Sequence, residues 1–225
     1  MKYYSIAIDG PAGAGKSTFA KALAKELRFT YVDTGAIYRS VGLFAIKNNV
    51  DKDDKSGIIA LLPRVSVSIE YDESGAQHMI LNGEDVTGDI RLPAVSMYAS
   101  AVSALPEVRA FLLQLQRDFA LRYNVIMDGR DIGTVVLPDA DLKIFLTADV
   151  SVRARRRYEE LLEKGTETTF YDVLEDMKKR DHDDMTRETA PLKRADDAVL
   201  ADTSGLSLEE SFDLLRNIVK DRLGI

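Results

Sequence analysis

Residues 10–18 constrain this chain more than any other stretch. They read Gly10-Pro11-Ala12-Gly13-Ala14-Gly15-Lys16-Ser17-Thr18, so Gly10, Gly15, Lys16 and Ser17 satisfy G-x-x-x-x-G-K-[ST]. A loop of this kind cradles phosphate. Its backbone N–H groups must converge on an anion, which needs backbone angles and a closeness that glycine tolerates. The helix that follows points the positive end of its dipole at the same phosphates. Lys16 supplies a mobile positive charge for β- and γ-phosphates, and Ser17 a hydroxyl for Mg²⁺. The flanks fit. Ile6, Ala7 and Ile8 form a buried-strand run before the loop, and Phe19, Ala20, Leu23, Ala24 and Leu27 recur at helical spacing after it. All nine residues of the loop are candidate triphosphate contacts.

The rest of the chain alternates strands and helices. Short apolar runs at Thr30–Asp33, Val125–Asp128, Leu142–Thr147 and Ala198–Asp202 join the first as five buried strands. Helical patterns begin at Thr34, Arg91-Leu92-Pro93, Leu105-Pro106, Val150, Tyr171 and Ser207, the last with Glu210 at capping-box spacing. This alternation predicts a three-layer α/β/α fold around a central parallel five-stranded sheet. Ligands of such sheets lie at the carboxyl ends of the strands, where Asp9, Asp33, Asp128 and Asp202 fall. One segment breaks the alternation. Val65–Tyr71 alternates with period two, Asp72–Gly75 reads as a turn, His78–Leu81 returns, and Asn82-Gly83 signals a hairpin. A small antiparallel sheet is therefore inserted, as decoration or as a substrate lobe.

Composition narrows the function. The 225 residues suit one domain, and no apolar run nears the roughly 20 residues that span a bilayer. The start Met1-Lys2-Tyr3-Tyr4 leads straight into a strand, so no signal peptide is expected. With no cysteine, disulfides and thiolate metal sites are excluded and a reducing cytoplasm is the natural setting. A net charge of −7 disfavours a general nucleic-acid binder. Yet Arg153, Arg155, Arg156, Arg157, Arg180, Arg187 and Arg194 cluster within one quarter of the chain, which suits a confined anion. A GTPase would need an N-K-x-D stretch, which is missing. Asp202-Thr203-Ser204-Gly205 fits D-x-x-G but stands before the last helix, where a switch does not belong. A non-catalytic ATP-sensing module has no need of a second phosphate site. His78 and His182, the only histidines, have no second histidine nearby for a metal site.

Ile8-Asp9-Gly10 through Ser17 together with Asp33-Thr34-Gly35-Ala36-Ile37-Tyr38-Arg39 resembles the bacterial cytidylate kinase family. Leu81–Val86, Pro106–Arg109, Asp128-Gly129-Arg130-Asp131-Ile132-Gly133-Thr134-Val135-Val136, Lys143–Leu146, and Arg180-Asp181 through Arg187 continue the resemblance in order over nearly the full length. Thr34 stands where the family often has serine, and keeps the hydroxyl. The resemblance implies a P-loop kinase, 1–225, that moves the γ-phosphoryl of ATP to CMP or dCMP with Mg²⁺. It implies a core (1–50, 105–150 and 188–225), a monophosphate-binding insertion (51–104) and a short lid with flanking helices (151–187). It places Arg39, Arg130 and Arg180 on the CMP phosphate, and Arg153 and Arg157 as lid candidates for the moving phosphoryl. Only two of the four arginines from 153 to 157 can share a helix face. Asp184 and Arg187 would read cytosine, with Arg109 and Ser100 or Ser103 nearby, and Asp131 would meet the pentose. Thr34 and Tyr38 complete the CMP set. Lys16, Arg130, Arg153, Arg157 and Arg180 are the catalytic candidates. Asp128 would orient Mg²⁺ through water beside Ser17, or else cap a helix. The acceptor phosphate carries roughly −1.5 to −2 charge and is already a nucleophile, so no general base is nominated. No nucleic acid, membrane or second subunit is expected.

Overall fold

A computed structural model describes residues 3–163 and 165–225. Met1 and Lys2, read as leading into the first strand, and Lys164, read as loop, lie outside the described residues. In chain order the elements are β1 (Ser5–Asp9), α1 (Lys16–Leu27), β2 (Thr30–Asp33), α2 (Thr34–Lys47), α3 (Lys55–Leu61), β3 (Val67–Tyr71), β4 (Gln77–Leu81), β5 (Glu84–Asp85), α4 (Pro93–Ser103), α5 (Pro106–Arg122), β6 (Val125–Gly129), β7 (Leu142–Thr147), α6 (Val150–Glu163), α7 (Phe170–Thr186), β8 (Val199–Asp202) and α8 (Leu208–Leu223).

Strands β2-β6-β1-β7-β8, in that order, make one parallel sheet. Side-chain alternation along its strands feeds two cores. Ala7, Val32 and Met127 point to one face and pack with Ile37, Val41, Val102 and Leu112 of α2, α4 and α5. Ile6, Ile8 and Ile126 point to the other and pack with Phe19, Leu23, Leu215 and Val219 of α1 and α8. Three layers result. The order of connections reverses at β1, so the loop leaving its carboxyl end opens into the crevice between β6 and β7. A third apolar group, Ala154, Val173 and Met177, joins α6 to α7.

The antiparallel sheet β3-β4-β5 forms where the period-two pattern places it. Strand β3 starts at Val67 rather than Val65, because Leu62–Arg64 makes a 3₁₀ turn that Val65 N–H closes on the Leu62 carbonyl. Asn82 and Gly83 both take positive φ, 51° and 87°, as a two-residue hairpin requires. This sheet packs against the main domain. Met79, Leu81, Val86 and Ile90 belong to the same apolar core as α2. Two of its side chains also satisfy the outer edge of β2. The Tyr71 hydroxyl donates to the Tyr31 carbonyl at 2.8 Å, and Gln77 Oε1 accepts the Asp33 N–H at 2.9 Å. An open sheet edge is thereby closed by side chains.

Candidate active site

The loop after β1 is held by close contacts that admit only glycine. A Cβ on Gly10, φ +151°, would lie 1.9 Å from the Leu146 carbonyl oxygen of β7. Gly15, φ +86°, turns the chain into α1. The first N–H groups of α1 therefore face the crevice. Lys16 is buried, and its Nζ donates to the Pro11 carbonyl at 2.7 Å, across the loop. Burial, then the Arg130 and Arg180 charges, push its pKa well below the ordinary lysine value, against the pull of Asp128 and Asp9.

Around this loop lies a cavity of about 670 Å³. Of the loop, Ala12, Gly13, Gly15, Lys16, Ser17 and Thr18 line it, whereas Gly10, Pro11 and Ala14 stand behind as its frame. Beside Lys16 the Ser17 hydroxyl donates to Asp128 Oδ2 and the Tyr31 hydroxyl to Asp128 Oδ1, each at 2.8 Å. Burial raises the Asp128 pKa, with Asp33 adding to it. Asp128 caps no helix. Ser17 and Asp128 form an all-oxygen pair of the hard kind that suits a magnesium ion beside bound phosphates. Among the described residues no group of three His, Cys, Asp or Glu could hold a metal alone.

Beyond Lys16 the cavity is cationic. Arg39, Arg130 and Arg180 all line it. Arg130 Nε donates to Asp184 Oδ2 at 2.7 Å. Arg39 Nε is buried without a hydrogen-bond partner. Burial, then the Arg130 charge, lower the Arg180 pKa to about 10, so it still carries its proton at neutral pH. Arg130 is paired with Asp184 and Arg39 with Asp33, yet three guanidinium groups converge on one wall of the cavity and are arranged for an anion from outside the chain.

The far end mixes charges. Arg109 pairs closely with Asp131 and lies 5.5 Å over the Tyr38 ring. Arg187 donates to the Ala190 carbonyl at 2.8 Å and stands 3.5 Å from Asp131 and 3.9 Å from Asp184. Burial pushes the Asp184 carboxyl up, but Arg130, Arg180 and Arg187 outweigh it and hold the pKa below the usual value. For Asp131 burial prevails over Arg109 and Arg187, and its pKa is raised. Thr34, Ser100 and Ser103 also line this end. Every residue expected on the acceptor side thus faces one cavity.

The arginines expected in a lid come out differently. Arg153 is buried but braces the loop from behind, with Nη1 donating to Ala12 O and Nε to Ala148 O, both at 2.8 Å, and Nη2 to Asp181 at 2.6 Å. Arg157 does not line the cavity. It is 43% exposed and pairs with Glu160 at 2.9 Å. Arg156 takes that place, its Nη2 donating to the Thr203 carbonyl at 3.2 Å, and lines the cavity with Glu160. Arg155 lies 4.5 Å over the Phe170 ring. Positions 153 and 156 share a helical face as well as 153 and 157 do, so spacing could not choose between them. Leu206, Ser207, Leu208 and Ser211 extend this end of the cavity and escaped sequence reading, although the loop after a parallel strand is where a ligand wall is found. Asp9 also went unassigned. Its carboxylate accepts the Ile132 and Gly133 N–H groups at 2.8 and 2.7 Å, and so ties the loop of β1 to the π-helical turn Ile132–Val136 that follows Arg130 and Asp131. His78 pairs with Asp85 and Asp72 on the surface, and His182 is exposed on α7.

A phosphate loop, a second cationic pocket facing it and a parallel sheet that opens between them define a P-loop phosphotransferase. The cytidylate kinase family model matches residues 6–221. Curated cytidylate kinases from Caldicellulosiruptor saccharolyticus and Carboxydothermus hydrogenoformans are each 52% identical, over 93% and 95% of this chain and 92% and 96% of theirs. A solved structure of an uncharacterized protein from Eubacterium ventriosum shares the fold, with a TM-score of 0.54 at 14% identity, covering 97% of this chain and 99% of that one. The chain belongs to the cytidylate kinase family.

Proposed function

We propose that this chain transfers the γ-phosphoryl of ATP to CMP or dCMP, giving ADP and the nucleoside diphosphate. The observation that carries this reading is the single cavity that runs from the P-loop, past Lys16, Arg39, Arg130 and Arg180, to Asp184 and Arg187. The chemical difficulty is to hold two polyanions in line without water. Loop N–H groups and Lys16 hold the donor triphosphate. Arg39, Arg130 and Arg180 take the acceptor phosphate and spread the charge that develops on the moving group. Arg153 acts through the loop it braces. Arg156, with Leu206 and Leu208, offers a planar cation and apolar walls to the donor base.

The acceptor phosphate attacks directly, and the mechanism uses no protein base. Ser17 would hold Mg²⁺ and Asp128 would orient it through water; the ion supplies charge neutralisation at the phosphates. Cytosine is read by Asp184, which accepts from the exocyclic amino group, and by Arg187, with Ser100 and Arg109 beside them. Uracil would set a carbonyl against the Asp184 carboxylate, a mismatch that discriminates strongly. Asp131 meets the pentose, and Thr34 and Tyr38 complete the pocket. Residues 51–104 serve as the monophosphate-binding part and 151–187 as the lid region of one kinase domain, working as a cytoplasmic monomer in pyrimidine nucleotide metabolism. Among the described residues no helix is long and apolar enough to cross a membrane.

A coupled ADP-release assay with ATP against CMP, dCMP, UMP, AMP, GMP and shikimate tests the reading. Turnover should be highest with CMP and dCMP. A preference for AMP or shikimate would overturn the substrate assignment.

A further inference from the structure

Asp33 ends β2 and opens α2, with a side chain only 5% exposed. Its Oδ1 accepts the Ala36 N–H at 2.8 Å and caps the helix. Its Oδ2 is shared by two guanidinium groups, Arg91 at 3.0 Å and Arg39 at 3.3 Å. Burial pushes the Asp33 carboxyl up, yet Arg39 and Arg91 together hold it below the usual carboxylate value, so it stays ionised.

The two arginines differ in origin and outlook. Arg39 belongs to α2, lines the cavity, and keeps a buried Nε without a partner. Arg91 ends the 3₁₀ turn Asp89–Arg91 between β5 and α4. Its side chain is 50% exposed and does not line the cavity. The segment that carries it reaches Asp33 twice, because Gln77 of β4 also accepts the Asp33 N–H. The charge count then matters. One buried carboxylate with one guanidinium is a neutral, closed pair. With two guanidinium groups on that carboxylate, one positive charge remains, and the longer contact is the one made by Arg39.

We propose that Arg91 is a positioning residue for the acceptor phosphate: it shares Asp33 with Arg39, and so leaves the Arg39 guanidinium its charge for a phosphate in the cavity. The proposal rests on the reading that Arg39 meets the acceptor phosphate. It gives the small antiparallel sheet and the turn after it a part in the reaction without contact with substrate. Without Arg91, Asp33 would draw Arg39 into a closed pair and away from the phosphate.

Steady-state kinetics of the full chain, with CMP and ATP varied in turn, test this in Arg91→Ala, Arg39→Ala and the double variant. Arg91→Ala should raise KM for CMP about 5- to 10-fold while KM for ATP stays within about twofold. Arg91→Lys should recover most of the loss. In the Arg39→Ala background, removing Arg91 should change nothing further. An unchanged KM for CMP in Arg91→Ala, an equal rise for both substrates, or the same loss in both backgrounds overturns the role of Arg91 and leaves Arg39 at the phosphate. A normal KM for CMP in Arg39→Ala overturns the placing of Arg39, and the proposal with it. If the alanine variant does not fold, Arg91→Gln carries the same test.

Discussion

Lys16 shows how much of this site is a matter of single side chains. It is buried, crowded by Arg130 and Arg180, and held across the loop by one carbonyl. Lys16→Met should remove roughly 10²- to 10³-fold of the turnover, the usual scale for deleting one preorganised charge, and leave the circular dichroism spectrum unchanged. Near-normal turnover would contradict the P-loop role. Asp184→Ala should lower kcat/KM for CMP by roughly 10- to 100-fold, the scale of a charged hydrogen bond, and that for UMP much less. Equal losses would show that Asp184 does not read the base. Asp9 makes a prediction about pH. Burial raises its pKa to about 6, against the lowering effect of the Gly133 and Ile132 N–H groups. A carboxyl raised on folding favours the native state at low pH, and that contribution is lost as pH climbs from the unfolded value of about 3.9 through the folded value. Asp9→Asn abolishes this titration. Its stability relative to the parent should therefore improve by on the order of 2–3 kcal/mol between about pH 4 and pH 7. Urea unfolding at several pH values measures the difference, and a flat difference would show that Asp9 does not titrate in this range.

At the scale of elements, the packing of α2 against α4 decides where the pocket walls stand. α2 is buried along most of its length, and Gly42 sits where α4 crosses it. A Cβ there would lie 2.9 Å from Tyr98 Cβ and 3.2 Å from the Ala99 nitrogen. Gly42→Ala should thus destabilise the fold by about 1–3 kcal/mol, as overpacking does, and raise KM for CMP, because α4 carries Ser100 and Ser103. Denaturant midpoints and CMP kinetics check the two effects together. The elements themselves were largely legible. Strand runs form within two residues of where local pattern predicts, and the Asn82-Gly83 hairpin and the Ser207–Glu210 capping box form as expected, the last with both reciprocal bonds. Helix α6 was legible as a helix but not in its rotation. Val150, Ala154, Tyr158 and Leu161 mark the face that packs on α7, but four of the five residues Arg153–Arg157 are arginines flanking that stripe, and only the tertiary contact with the Thr203 carbonyl turns Arg156 inward.

For the whole molecule, an overall charge of −7 coexists with a cavity lined by Lys16 and six arginines. Asp33, Asp128, Asp131, Glu160 and Asp184 line the same cavity and offset part of that charge, and the positive excess is left for an anion. Ligands that bind only the folded chain should raise its stability by about 2.7 kcal/mol at one hundred times their dissociation constant. Thermal unfolding should accordingly rise with CMP and with ATP, and rise further with both than with either alone. A melting temperature indifferent to CMP would contradict a preformed acceptor pocket.

The sequence by itself determined the phosphate loop, the parallel sheet with its inserted hairpins, and a set of motif residues that come to line one cavity. These follow from short-range chemistry: glycine where the backbone must turn, apolar periodicity where a face is buried, and a fixed order of motifs. Tertiary structure alone decided which α6 arginine faces the cavity, that Arg153 is a brace, that Asp9 joins two loops from 123 positions apart in the chain, and that Arg91 reaches Asp33 across 58. Those outcomes depend on the direction of side chains brought together by distant segments. A buried charge selects its partner by proximity in space, and no local pattern records that choice.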